Sequence, residues 1–152
     1  MEEARATVLD LNVLLASILK PEGYTAATLL TLHLRGDKLY VPDYVKEEFN
    51  TVVDDVAKRK GIDPWTLKTA LQTILKITTE AKKKSYKKHL EKAKDLVRDP
   101  KDTPYVALAL HLREHYKQVI ILTYNKKDYK CEELQREGIT VLTPRELQET
   151  NI

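Results

Sequence analysis

Short apolar runs alternate along this chain with segments whose apolar residues recur every three or four positions. The runs "ATVLDL" (6–11), "KLYVP" (38–42), "VIILT" (119–123) and "ITVLT" (139–143) have the character of buried strands. Helical spacing fills the intervals. "LLASILK" is followed by "YTAATLLTLHLRG", with Gly36 as a stop. From Asp43, an expected N-cap, Val45, Phe49, Val52, Val53 and Val56 fall on one face, and Gly61 ends the segment. Asp63 and Pro64 start another helix, through "WTLKTALQTILK". "ITTEAKK" (77–83) fits neither period. "SYKKHLEKAKDLV" puts Tyr86, Leu90, Ala93 and Val97 on one stripe. "RDPKD" then breaks the chain, and Thr103 with Pro104 opens "YVALALHLREHY", which is apolar on most sides and so predicted to pack against a sheet. "DYKCEELQREG" and "PRELQE" are the last helical patterns.

Strands alternating with helices predict an α/β fold: a three-layer α/β/α sandwich around a central, mainly parallel sheet of four or five strands. No repeat or linker divides the sequence, so residues 1–152 read as one domain, with 62–98 as a helical elaboration within it.

Composition adds little until charge is followed along the chain. A 32% charged and 42% apolar sequence is that of a globular protein. The lone Cys131 excludes an internal disulfide. The acidic start lacks the basic region of a secretory signal, and no apolar run approaches the roughly 20 residues of a membrane span. The expected location is cytoplasmic, with no membrane partner. The net charge is +3, but Lys58–Arg98 holds 13 basic and 4 acidic residues, while the remainder holds 13 basic and 19 acidic. An acidic body with a basic segment fits a polyanionic or acidic partner, although a lysine-rich stretch alone also describes a solvated helix surface.

Parallel sheets bind ligands beyond the C-terminal ends of their strands. Asp10 ends the first strand. Thr123 and Asn125 follow "VIIL". Asp99 and Asp102 precede the buried helix, and Glu47 and Glu48 lie one turn into the helix after "KLYVP". Each has an ordinary explanation: Asp10 as a helix cap, Asp99 and Asp102 as turn residues around Pro100, Glu48 as a surface acid, Asn125 as a turn residue. Together they are harder to dismiss. Carboxylates converging on one cleft must hold protons or a cation. An all-oxygen donor set selects Mg²⁺ or Mn²⁺ over Zn²⁺. Such an ion beside a basic segment suits phosphodiester hydrolysis.

Four stretches, "VLDLNVLLA", "VPDYVKEEF", "RDPKDTPYVALAL" and "ILTYNKKDY", resemble the PIN-domain nucleases, in order and across nearly the whole chain. The likeness is greatest to the prokaryotic members, including VapC toxins. It implies a metal-dependent endoribonuclease, often a homodimer, often held by an antitoxin. On this resemblance Asp10, Glu48, Asp102 and Asn125 are the catalytic set. Asp10, Glu48, Asp99, Asp102 and Asp128 are the metal-holding acids for Mg²⁺ or Mn²⁺. Asn12 and Thr123 orient carboxylates. Lys126 and Lys127, with Lys83, Lys84, Lys87 and Lys88 of the basic segment, are candidates to contact RNA. One departure is Asn125, where many members carry Asp, so a second cation position has less charge to hold it.

Three other readings compete. "HLREH" (111–115) matches an inverted zinc-protease pattern, with two histidines on one helix face. A non-catalytic RNA-binding module would keep the fold without cleavage, and a processing nuclease would share the chemistry without an antitoxin. An apolar surface around Leu29, Leu30 and Leu32 is either interface or core.

Overall fold

The computed structural model describes residues 4–150; the acidic start, Met1–Glu3, lies outside them. Five parallel strands form one sheet in the order β3-β2-β1-β4-β5. They are β1 (Ala6–Leu9), β2 (Lys38–Pro42), β3 (Thr79–Ala81), β4 (Val119–Leu122) and β5 (Ile139–Leu142). The helices are α1 (Leu11–Leu19), α2 (Tyr24–Leu34), α3 (Tyr44–Lys60), α4 (Pro64–Ile74), α5 (Lys83–Tyr86), α6 (Leu90–Lys94), α7 (Thr103–Arg113), α8 (Cys131–Arg136) and α9 (Pro144–Thr150). The result is a three-layer α/β/α sandwich.

The central strands are the most apolar. Every residue of β1 and β4 is buried, as expected for strands covered on both faces. α7 packs on β1, β2, β4 and β5, and α5 and α6 pack on α7. Its all-round apolar sequence follows from that position: Tyr105 to Leu110 are all buried. α1 and α2 pack together, α2 meets β2 and α9, and α4 rests on α1 and α3. Gly61 closes α3 at φ +66°, a left-handed conformation that glycine adopts without a Cβ penalty, and its N–H bonds back to the last turn.

Register positions the site. Leu9 lies opposite Leu122, so β1 and β4 end at the same level. Asp10 and Thr123 therefore emerge side by side, the Asp10 N–H bonding to Leu122 O at 3.1 Å. From β1 the chain crosses to β2 on one side, while β4 lies on the other. This is the reversal of strand order at which open parallel sheets form crevices.

The structure differs from the sequence pattern in several places. "ITTEAKK" supplies β3, so the basic segment contributes the edge strand rather than helices alone. Short edge strands leave few residues for a periodic signal. Asp43 does not cap α3; its carboxylate instead accepts the Lys83 N–H (2.9 Å) and the Tyr86 hydroxyl (2.6 Å), which fastens the start of α5 to the end of β2. Thr103 lies inside α7, and Asp102 occupies the N-cap position without a side-chain cap bond. Val52 is half-buried beside its buried neighbours. Leu29 and Leu32 are core, whereas Leu30 is exposed.

Candidate active site

Above the ends of β1 and β4, Asp10 is 4% exposed, yet its carboxylate is well supplied with donors. Thr123 Oγ1 donates to Oδ2 at 2.9 Å, and Tyr129 Oη donates to the same oxygen at 2.8 Å. Asn12 stands one bond further out. Its amide donates to Thr123 Oγ1 (3.1 Å), and its Oδ1 accepts the Tyr124 N–H (2.9 Å). Thr123 thus contacts the Asp10 carboxylate directly, and Asn12 contacts Thr123.

Glu48 reaches the crevice from α3, half-buried. Tyr105 Oη donates to Glu48 Oε1 at 2.6 Å. Tyr105 belongs to α7, so one helix carries both the support for Glu48 and, just before it, Asp102. Glu47, its neighbour, is exposed.

Asp102 is buried without the side-chain donors that hold Asp10 and Glu48. It is 3% exposed, and its Oδ2 is buried with no hydrogen-bond partner. A carboxylate oxygen of Asp102 lies within 4.8 Å of oxygens of Asp99 and Asp128. Burial first, then the charges of Asp10, Asp99, Glu48 and Asp128, push its carboxyl up to about 8. Burial also raises Glu48, with Asp10 adding to it and Tyr105 opposing. In Asp10 burial outweighs the hydrogen bonds from Tyr129 and Thr123, and its carboxyl too is raised. Burial is the first cause in all three carboxyls, and in Glu48 and Asp102 the neighbouring negative charges add to it.

The remaining predicted residues fall in different places. Asp99 caps the turn at Pro100–Asp102 by accepting the Lys101 N–H (3.1 Å) while facing Asp102 and Asp128. Asn125 is exposed, and its backbone N–H bonds Thr123 Oγ1 (3.0 Å); an oxygen of Asp128 lies within 4.8 Å of oxygens of Asp99 and Asp102. Lys126 turns away to pair with Glu146 at 3.0 Å, while Lys127 is exposed. Lys83, Lys84 and Lys87 are exposed on the basic segment. Lys88 pairs with Glu114 (2.9 Å) just past the C-terminal end of α7, the end opposite Asp102.

Sequence reasoning overlooked two groups. By its sequence context Tyr105 reads only as part of a buried helix. A tyrosine in a run as apolar as "YVALAL" needs a partner for its hydroxyl, and that was the available signal. Lys101 is exposed at the rim. Burial opposes its charge, but Asp99, Asp102, Glu48 and Asp128 together hold its ammonium above the ordinary value.

The donors fit a hard divalent cation: carboxylate oxygens, one buried and unpartnered, with no imidazole or thiolate among them. An all-parallel α/β sheet with such a crevice at its switch point defines an acid-centred α/β protein. The PIN domain family model matches residues 8–115, well over half the chain, and the chain belongs to that family, whose members are generally nucleases. The match takes in Asp10, Glu48, Asp99 and Asp102 and ends before Thr123–Tyr129. Among solved structures the chain is similar to one chain of VapBC2 from Rickettsia felis bound to a DNA fragment from their promoter. The TM-score is 0.59 at 16% identity, covering 91% of this chain and 98% of that one. At that identity the likeness is one of fold. No curated protein matches. Among the described residues no helix is long and apolar enough to cross a membrane.

Proposed function

We propose that this protein is a Mg²⁺- or Mn²⁺-dependent endoribonuclease that hydrolyses RNA phosphodiester bonds, and that it is the toxin of a VapBC-type pair. The observation that carries the reading is the buried, unpartnered Asp102 Oδ2 among carboxylates that raise its proton affinity. A cation relieves that crowding. Asp10, Glu48 and Asp102 would hold it, with Asp99 and Asp128 beside them. When bound, a hard divalent cation offsets charge on the phosphate and makes a water more acidic.

The chain's own groups prepare the pocket. Tyr129 and Thr123 both donate to one oxygen of Asp10, and Tyr105 to one oxygen of Glu48, so each carboxylate is held in a fixed orientation. Lys101, at the rim, offers a cation to the RNA backbone next to the scissile bond. Lys127, Lys83, Lys84 and Lys87 extend that field for a longer strand. Dimerisation and antitoxin capture fit the exposed apolar residues Tyr24, Leu30 and Leu34 of α2.

The experiment is cleavage of a structured RNA pool in Mg²⁺, Mn²⁺ and EDTA, with Asp10→Asn and Asp102→Asn as comparisons. Activity should need the cation and fall at least about a hundredfold in each variant. Full activity in Asp10→Asn would end the assignment. RNA binding without cleavage, unaffected by Mg²⁺, would instead support a non-catalytic module. A neighbouring gene for a small DNA-binding protein that inhibits cleavage separates a toxin from a processing nuclease.

A further inference from the structure

A second group of metal-type ligands lies past the other end of α7. His111 is in the last turn of that helix and Glu114 follows it by three residues, so the two share a face. His89 comes from the basic segment, in the turn between α5 and α6. His89 Nε2 is 3.3 Å from Glu114 Oε1, and His111 Nδ1 is 3.9 Å from Glu114 Oε2. One ligand atom from each of the three residues lies within 4.8 Å of the others. The rise of 1.5 Å per residue puts His111 about 14 Å along the helix from Asp102, so this is not the acidic pocket.

Independent of that clustering, His111 Nδ1 is buried and has no hydrogen-bond partner. A buried ring nitrogen left without a partner carries a desolvation cost that a ligand would remove. The sequence pattern "HLREH" pointed to His111 with His115. The fold instead brings His89 to His111 and Glu114, and leaves His115 exposed with its ring edge-on to His111 at 5.2 Å between centroids.

We infer that His89, His111 and Glu114 form a site for a borderline divalent cation of the Zn²⁺ class, clamping the basic segment to α7. Two imidazoles and one carboxylate suit Zn²⁺, Co²⁺ or Ni²⁺ and disfavour Mg²⁺. Three protein ligands leave one position open. His111 and Glu114 both line a cleft of about 950 Å³, with Tyr40, Lys84 and Ser85 on its other walls, so water has access to that position. Lys88 now occupies Glu114 Oε1 at 2.9 Å, as an internal cation in the place a metal would take. Metal binding displaces that ammonium from Glu114 and so couples metal occupancy to the charge of the basic segment.

The test is titration of metal-free protein with Co²⁺, read by visible absorption, and with Zn²⁺, read by calorimetry and thermal unfolding. Besides any ion held by the acidic pocket, the intact protein should take one equivalent, with the absorption of a four- or five-coordinate ion and a raised Tm. The Asp10→Asn/Asp102→Asn double variant should keep that signal, because the acidic pocket is separate. His89→Ala and His111→Ala should each weaken it by at least about a hundredfold, since even loss of a residue that only orients a ligand costs 10–100-fold. Lys88→Met should tighten binding, a gain that misfolding cannot imitate. An unchanged signal in His111→Ala overturns the site. So does its loss in the acid double variant, or an unaltered affinity in Lys88→Met.

Discussion

Tyr129 Oη donates to Asp10 Oδ2 at 2.8 Å, across 119 residues of sequence and wholly within the interior. Neither group could be buried so fully alone, since the hydroxyl needs an acceptor and the carboxylate a donor. The bond joins the end of β1 to the turn after β4, the two segments that flank the crevice.

Tyr129→Phe should therefore leave a folded protein with a weaker site. Asp10 keeps Thr123 but loses a donor that favours its charged form, so its carboxyl rises further. Cleavage and Mn²⁺ affinity should fall about 10–100-fold, with the larger loss at the more acidic end of the pH range. Circular dichroism and Mn²⁺ titration check both parts. Unchanged Mn²⁺ affinity would separate this bond from cation binding.

The acids make a statement about stability as well. Asp10, Glu48 and Asp102 all have carboxyls raised by folding. A raised carboxyl holds its proton more tightly in the folded than in the unfolded chain. Its contribution to stability is complete below the unfolded value and is lost as pH climbs through the folded one, about 8 for Asp102. Cation-free protein should thus unfold at a lower temperature as pH rises between about 5 and 8. Mn²⁺ should restore more at the alkaline end, where fewer protons compete. Thermal scans in EDTA and in Mn²⁺ measure both slopes, and a flat EDTA profile would contradict the crowding.

The fourth motif divides into two residues with unequal prospects. Asn125 is exposed, while Asp128 faces Asp99 and Asp102. Asp128→Asn should lower activity by about tenfold or more, and Asn125→Ala by only a few-fold. Kinetics on the two variants decide it; the reverse ranking would return Asn125 to the cation site.

Lys101 sits among four acidic side chains, Asp99, Asp102, Glu48 and Asp128, so it competes with a cation and attracts a phosphate. Lys101→Met should bind Mn²⁺ at least as well as the parent yet raise KM for RNA. The dependence of log affinity on log salt should drop by about 0.7, the share of one phosphate contact on a single strand. Filter binding across a salt series reads that slope.

Asp43 anchors the basic segment. Burial raises its carboxyl, but hydrogen bonds from Tyr86 and the Lys83 N–H outweigh this, and it ends below the ordinary value. Asp43→Ala leaves the buried Tyr86 hydroxyl unpaired and should cost about 1–3 kcal/mol in urea unfolding. The sign is opposite to that of the acidic crevice. The stability Asp43 provides is present above the unfolded value and lost as pH falls through its lowered one, so the variant and parent should converge in acid.

Hydrophobic period alone determined much of this protein. Four of the five strands, the helical segments between them and the burial of α7 follow from how apolar residues alternate, because burial on one or two faces imposes a period of two or about 3.6. The acids at strand ends were legible for the same reason: strand limits say where the C-terminal edge lies, and parallel sheets put their crevices there. Tertiary structure alone decided the rest. β3 is three residues long, too short to show a period. Asp43 had two uses available, and the nearness of Lys83 and Tyr86 selected one of them. Asp128 faces Asp99 and Asp102, and His89 rather than His115 joins His111 and Glu114. Each of these depends on the distance between residues far apart in the chain, and local sequence carries propensity but no long-range distance.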